Sequence, residues 1–247
     1  MDERQTVDLC GRIGKILLQS GAETSRVEDT VERIGAAAGV PVACHATMTA
    51  ITVGFAANTL LVKVQVGDFD LRRVDAINAL SRRFVAHQLT QAALADEITK
   101  LIQNHVDYSW WQKILGAGAV SVAPMLVFKA TWHDLDWAIL VGIAGYLAAQ
   151  CVGAHTRTPY LAVGVGGAVI GAIAQALMVG GLVQVAANVV ISALMPLVPG
   201  VALTNALREL SARQTISGLV RAADAVMIAG AIGAGVVLGM ALIGGGR

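Results

Sequence analysis

Long apolar segments in the second part of the chain constrain its fold more than any other feature of the sequence. Five of them are found, at about 110–129, 137–155, 159–180, 182–199 and 216–244. A helix needs about 20 mostly apolar residues to cross the hydrocarbon core of a bilayer. The mean hydropathy of +0.65 and a charged fraction of only 14% agree with a membrane location, because soluble domains carry roughly 25% charged residues. The sequence therefore predicts an α-helical integral membrane protein with about five transmembrane helices in residues 108–247.

The first 107 residues differ from this region in charge and in hydrophobic period. Residues 1–113 hold 13 of the 17 acidic residues, whereas residues 114–247 hold 20 of the 27 glycines. Apolar residues recur at helical spacing near 3–20, 25–38, 70–88 and 91–105. Residues 51–66 alternate between apolar and polar or small side chains, which is typical of a β-hairpin. We therefore expect an N-terminal α+β domain, residues 1–107, that contains this hairpin.

Several function classes find no support in the sequence. Residues 1–113 have a net charge near −1 and residues 114–247 one near +2, and neither value indicates a nucleic-acid partner. The three cysteines lack C-x-x-C spacing and the five histidines are scattered, so no metal or cofactor is predicted. The chain also lacks the G-x-S-x-G, H-E-x-x-H and Walker A patterns, so we do not expect an enzyme. The charged N-terminus has no apolar core of a signal peptide, and we expect no cleaved leader.

The arginines between the apolar segments predict the orientation of the chain. Arg157 lies between the second and third segments, and Arg208, Arg213 and Arg221 lie near the boundary between the fourth and fifth. Basic residues are enriched in cytoplasmic loops. The N-terminal domain is therefore expected in the cytoplasm, with the C-terminus on the opposite side of the membrane.

A break follows the fourth apolar segment. Pro196 and Pro199 lack the N–H groups that a helix needs, and Gly200 permits unusual backbone angles. Transporters often hold solutes at broken membrane helices, although an ordinary loop between helices is the simpler interpretation. Polar residues on both sides of the break extend this candidate pathway: Asn188, Ser192, Thr204, Asn205 and Arg208.

Asp224 is an acidic residue inside the fifth apolar segment. Ionisable groups at membrane depth are costly unless they are paired, and they often mark a transport pathway. Arg221 lies three residues earlier, so an i,i+3 ion pair is geometrically available. We therefore consider a pathway role, a structural pair with Arg221, and a position at the membrane interface.

A charged motif, Gly21-Ala22-Glu23-Thr24-Ser25-Arg26-Val27-Glu28-Asp29, follows the first predicted helix. Ser25 and Glu28 have the spacing of a capping box, which predicts the start of the second helix. The polar residues have two interpretations, namely helix capping with a surface ion pair, or a polar surface for a solute or a partner domain. The candidates in this motif are Gly21, Glu23, Thr24, Arg26 and Glu28.

Two segments resemble signatures of the threonine/serine exporter (ThrE) family. Residues 21–29 resemble the family motif G-A-E-T-x-R-V-E-D, and residues 195–218 resemble its M-P-L-V-P-G…N-A-I-R-D…S-G segment. Glu209 stands where the family usually has Asp. The resemblance covers nearly the whole chain. Because full exporters carry more spans on one chain, the protein resembles the larger subunit (YjjP type) of the split branch.

This resemblance implies a secondary-active exporter in the bacterial inner membrane. Its substrates would be threonine and serine, or dicarboxylates such as succinate. The implied partners are a small YjjB-type membrane subunit, the lipid bilayer and, as an alternative, further copies of the chain. In this hypothesis Arg208 binds a substrate carboxylate and Asp224 carries a coupling proton. A passive channel, and a regulatory or hydrolytic domain anchored in the membrane, are the alternatives.

Overall fold

The chain divides into two compact units, described here from a computed structural model of residues 2–65, 67, 69–104, 108–127, 132–156 and 158–245. The first unit comprises Met1–Val106 with Val201–Ala222, and the second comprises Asp107–Gly200 with Ala223–Arg247. Residues 201–222 thus belong to the N-terminal unit, although their sequence position suggested the transmembrane domain.

The helices and strands follow the hydrophobic periods closely in the N-terminal region. In chain order they are α1 (Glu3–Gln19), α2 (Thr24–Ala37), β1 (Ala43–Ala46), β2 (Ala50–Phe55), β3 (Asn58–Lys63), α3 (Leu71–Val85) and α4 (Gln91–Gln103). The remaining helices are α5 (Trp110–Val127), α6 (Trp132–His155), α7 (Pro159–Val179), α8 (Ala186–Ala193), α9 (Gly200–Ser211) and α10 (Thr215–Gly244). The predicted hairpin is confirmed as β2 and β3.

The three strands form one antiparallel sheet in the order β1-β2-β3. Ile51 of β2 lies opposite both Ala46 and Val62, and its side chain is fully buried. Helix α1 packs closely on this sheet because Gly14 has no side chain where the Ile51 side chain lies. The resulting core joins α1, α2 and the sheet, which explains how so short a hairpin is stabilised.

Helix α2 begins earlier than its capping-box pattern predicts, and that prediction was wrong. Its N-cap is Glu23, and the Ser25 hydroxyl donates a 2.9 Å hydrogen bond to the Glu23 carboxylate. The Glu28 carboxylate accepts a 2.8 Å hydrogen bond from the Ala46 backbone N–H. Glu28 therefore attaches β1 to α2, because its side chain turns towards the sheet instead of back to the helix start.

In the first unit, Cys10 is buried and Cys44 is half-buried. Cys10 is fully buried in α1, and burial raises the pKa of its thiol to about 12. Cys44 in β1 also has its pKa raised to about 12, first by burial and then by the carboxylates of Glu28 and Glu32. Both thiols are therefore protonated at neutral pH.

Among the residues that the structure describes, three helices are long and apolar enough to cross a membrane. They are Asp134–His155, Pro159–Val179 and Thr215–Gly244. Helix α5, with 18 residues, carries Trp110, Lys113 and Pro124 and is not among these three. The predicted end of its segment, at 128–129, and Arg157 of the orientation argument lie outside the described residues.

The prediction of a single spanning helix over 182–199 was wrong. Only Ala186–Ala193 is helical there, eight residues long, which corresponds to about 12 Å against a hydrocarbon core of about 30 Å. Upstream, Gly181 adopts a φ of 72° and ends α7 with a Leu182 N–H to Leu177 carbonyl bond of 3.0 Å. Downstream, Pro196 disfavours a helical conformation of the residue before it and supplies no N–H group.

Small residues allow α7 and α10 to approach closely within the second unit. A Cβ atom on Gly167 would lie 2.6 Å from the carbonyl oxygen of Ile232, and one on Gly239 would meet the carbonyl of Ala168. Close backbone approach of this kind is the usual role of small residues spaced by four in membrane helices. Gly167 and Gly239 thus serve helix packing inside this chain.

Candidate functional site

A cavity of about 100 Å³ lies inside the first unit, where α1, α2, α3 and α9 meet. Its apolar wall comes from residues such as Leu17, Leu71 and Val201. Its polar residues are Glu23, Arg26, Asn78, Asn205 and Arg208. A concave, mostly apolar pocket with a few convergent polar groups is the usual form of a small-molecule site.

The turn between α1 and α2 places Glu23 at this cavity. Gly21 has a φ of 83°, which is the left-handed conformation that glycine adopts without strain. The Phe69 ring occupies the position that a Gly21 side chain would need. The Ala22 N–H then donates a 3.0 Å hydrogen bond to the Leu17 carbonyl. The chain reverses in this short turn, so that α2 starts beside the end of α1.

A buried ion pair holds the start of α2 against the segment 201–222. Arg221 donates to Glu209 from Nε to Oε2 and from Nη2 to Oε1, each over 3.1 Å. Thr24 donates to the same Oε1 from its backbone N–H at 3.1 Å and from its hydroxyl at 3.3 Å. Arg221 Nη2 also lies 3.4 Å from the Ala22 carbonyl oxygen. The Glu209 charge is therefore compensated by one guanidinium and two neutral donors.

Asn205 and Arg208 complete the contact between the two motif segments. The Asn205 amide donates a 3.1 Å hydrogen bond to the Gly21 carbonyl. Arg208 Nη1 lies 3.7 Å from Glu23 Oε2, and the Arg208 side chain is 56% exposed. Residues separated by about 185 positions in the chain thus line one cavity.

The cavity presents charges of both signs. The Glu23 side chain is only 7% exposed and its Oε1 accepts from Ser25. Arg26 is exposed and forms no hydrogen bond or ion pair within the described part of the chain. Two guanidinium groups can bind a carboxylate bidentately, and the carboxylate and the amides offer further polar contacts. The arrangement suits a small polar metabolite that carries a carboxylate.

Three of the candidate residues from the two motif segments do not line the cavity. Thr24 is fully buried and binds Glu209. Glu28 lies away from the cavity and accepts from Ala46 and from Gln214 Nε2, the latter at 3.0 Å. Thr204 is exposed on α9 and does not line the cavity. Thr24 and Glu28 therefore hold neighbouring elements of the unit together, whereas Thr204 lies outside the cavity wall.

The candidates before residue 201 belong to the second unit. Asn188 on α8 is half-buried, and Ser192 is buried. Pro196 and Pro199 are half-buried, and Gly200 is exposed at the start of α9. A pathway role for these residues stays a prediction.

Of the three interpretations of Asp224, the structural pair with Arg221 is not the arrangement found. Arg221 binds Glu209, whereas the Asp224 carboxylate accepts a 2.7 Å hydrogen bond from the Tyr160 hydroxyl in the second unit. Spacing along a helix makes an ion pair with Arg221 geometrically possible. The fully buried Glu209 carboxylate has only two neutral donors besides Arg221, so it needs this guanidinium to compensate its charge.

Three residues at or beside the cavity were not among the site candidates predicted from the sequence: Glu209, Arg221 and Asn78. A signal for Glu209 exists, because it continues a buried helical face after Ala202 and Ala206. A charged residue on such a face requires a buried partner. Asn78 carries no comparable signal, since a half-buried amide on α3 is unremarkable in sequence. Among the described residues, no group of three or more metal-ligating side chains is assembled.

Comparison with curated proteins and with solved structures gave no match. A family model with the description "Putative threonine/serine exporter" (ThrE) matches residues 8–243, nearly the whole chain. The chain belongs to this threonine/serine exporter family.

Proposed function

We propose that the protein is a subunit of a secondary-active exporter of small carboxylate-bearing metabolites in the bacterial inner membrane. Threonine and serine are the first substrates to test, and dicarboxylates such as succinate are the alternative. The observation that carries the proposal is the cavity of the first unit, which residues of both family motifs line together. In this proposal a small membrane subunit of the YjjB type completes the transporter.

In this proposal the first unit faces the cytoplasm and collects substrate. Arg208 binds the substrate carboxylate, because its guanidinium lines the cavity and is 56% exposed. The residues from Asn188 to Gly200 form part of the later pathway. Asp224 carries the coupling proton, and its carboxylate accepts a 2.7 Å hydrogen bond from the Tyr160 hydroxyl.

The test is transport into liposomes that contain the full chain, with and without the small subunit. Labelled threonine, serine and succinate are offered under an imposed proton gradient. Accumulation against the substrate gradient is expected, and equilibration without accumulation would indicate a passive channel. Absence of transport of all three compounds, with both subunits present, would refute the exporter.

Arg208→Ala tests the role of the cavity. A charge-assisted hydrogen bond contributes about 1.5–3 kcal/mol, so the apparent affinity for substrate should fall roughly tenfold to a hundredfold. Arg83→Ala is the matched control, because Arg83 is exposed on α3 of the same unit and does not line the cavity. Equal transport by Arg208→Ala and the control would exclude this role for Arg208.

A further inference from the structure

Helix α2 begins without the usual cap from its own N-terminal residue. The N-cap side chain commonly accepts a hydrogen bond from a backbone N–H in the first turn. At α2 the N-cap is Glu23, and its side chain makes no such bond. The Thr24 N–H, in the first turn of α2, instead donates a 3.1 Å hydrogen bond to Glu209 of α9. Helix α2 is therefore capped by a side chain from another helix.

The environment of Glu209 suits this role. A negative charge near a helix N-terminus interacts favourably with the free N–H groups and the helix dipole. A fully buried carboxylate requires compensation, and Arg221 provides it with two hydrogen bonds of 3.1 Å. The pair thus places a stable negative charge at the start of α2 without using the Glu23 carboxylate.

Glu23 is left with unused acceptor capacity at the wall of the cavity. Its Oε1 accepts from the Ser25 hydroxyl at 2.9 Å. Its Oε2 receives no hydrogen bond in the described part of the chain, and the nearest cation, Arg208 Nη1, lies 3.7 Å away. This separation is longer than a hydrogen bond. A carboxylate that is more than nine-tenths buried thus retains a free acceptor oxygen beside the cavity.

We propose that Glu23 accepts the ammonium group of the bound ligand, and that Glu209 and Arg221 are positioning residues that keep its carboxylate available. The inference rests on the proposed function, because it takes the cavity as the substrate site. Arg26 and Arg208 then bind the carboxylate of the same ligand. The site selects a zwitterion, since the second carboxylate of a dicarboxylate would meet the negative charge of Glu23.

The test compares the binding of two ligands to the full-length chain in lipid nanodiscs by calorimetric titration. The ligands are L-threonine and 2,3-dihydroxybutanoate, in which a hydroxyl replaces the ammonium group. The wild-type protein should bind threonine roughly tenfold to a hundredfold more tightly, as expected for a buried charge-assisted hydrogen bond. Glu23→Gln should bring this ratio close to one. Asp29→Asn is the matched control, because it removes an exposed carboxylate from the same helix and should preserve the ratio.

A double-mutant cycle tests the positioning role. Glu209→Gln removes the charge that holds Arg221, so the threonine preference should fall. In the Glu23→Gln background the same change should alter the preference no further, because Glu209 acts through Glu23. A purely structural role would lower the affinity for both ligands equally. Should Glu209→Gln not fold, Thr24→Val replaces it, since this change removes the 3.3 Å hydroxyl contact and keeps the backbone N–H.

The outcomes separate this inference from the proposed function. An unchanged threonine preference in Glu23→Gln, or independent effects of the two substitutions, would overturn the inference while transport stands. Binding of neither ligand by the wild-type protein would overturn the inference together with the cavity as the substrate site. Failure of transport in the liposome experiment addresses the exporter itself.

Discussion

Replacement of Arg221 by methionine leaves the Glu209 carboxylate buried without its counter-ion. The Arg221 side chain is 4% exposed and that of Glu209 is 0% exposed. Removing one partner of such a buried pair typically costs about 3–5 kcal/mol, because the remaining charge is desolvated and uncompensated. The two Thr24 hydrogen bonds to Glu209 remain in this variant, so the site is only partly compensated. We expect the start of α2 to lose most of its local stability.

Arg33→Met provides the matched control in the same unit. Arg33 pairs with Asp29 at 2.8 Å, but the two side chains are 67% and 54% exposed. Exposed pairs contribute about 0–1 kcal/mol, since water solvates both charges before and after the pair forms. The comparison isolates the effect of burial, because both substitutions exchange an arginine for a methionine.

Amide hydrogen exchange followed by mass spectrometry measures the difference in full-length protein. When exchange is governed by the opening equilibrium, each 1.4 kcal/mol changes the protection factor about tenfold. Protection of the first turns of α2 should fall by about two to nearly four orders of magnitude in Arg221→Met. It should fall by less than about tenfold in Arg33→Met. Equal protection in the two variants would refute the assignment of the Glu209–Arg221 pair as the contact that holds α2.

Two further predictions concern a half-buried thiol of the first unit and a helix contact of the second. Cys44 should be alkylated at pH 8 roughly a thousandfold more slowly than an ordinary thiol, because its pKa of about 12 lowers the thiolate fraction. The rate, read by peptide-resolved mass spectrometry, should rise about tenfold per pH unit towards that pKa, and a pH-independent rate would contradict the shift. Gly167→Ala should lower the melting temperature of the purified protein, because a Cβ atom there lies 2.6 Å from a backbone carbonyl. Gly233→Ala, where no atom lies within 4 Å of the new Cβ, should leave the melting temperature unchanged or raise it.

The helices and the hairpin of the first unit were predictable because their signals are local. The helical spacing of Val7, Cys10, Ile13 and Leu17 corresponds to the buried face of α1. Alternation around Ile51 corresponds to β2, which ends at the turn before Asn58. The hydrophobic period and the turn residues are properties of neighbouring positions. They can therefore be read from the sequence without knowledge of the distant contacts.

The predicted span over 182–199 shows where hydropathy alone is insufficient. The segment is apolar throughout, yet only eight residues of it are helical. Apolar composition indicates that a segment prefers lipid or the protein interior. It does not set the length of a helix, which depends on the backbone angles that each residue can adopt. The turn at Gly181 and the missing N–H of Pro196 limit that length.

By itself, the sequence determined the apolar segments, the periods of the N-terminal elements and the two motifs that identify the family. Tertiary structure alone decided that Thr24 meets Glu209, a residue 185 positions away, and that Arg221 binds Glu209 and not Asp224. Such partners are chosen by the packing of distant elements, because a buried charge must find compensation wherever the fold places a complementary group. The motif made Glu23 a candidate, whereas its proposed role as the ammonium acceptor follows from that long-range contact.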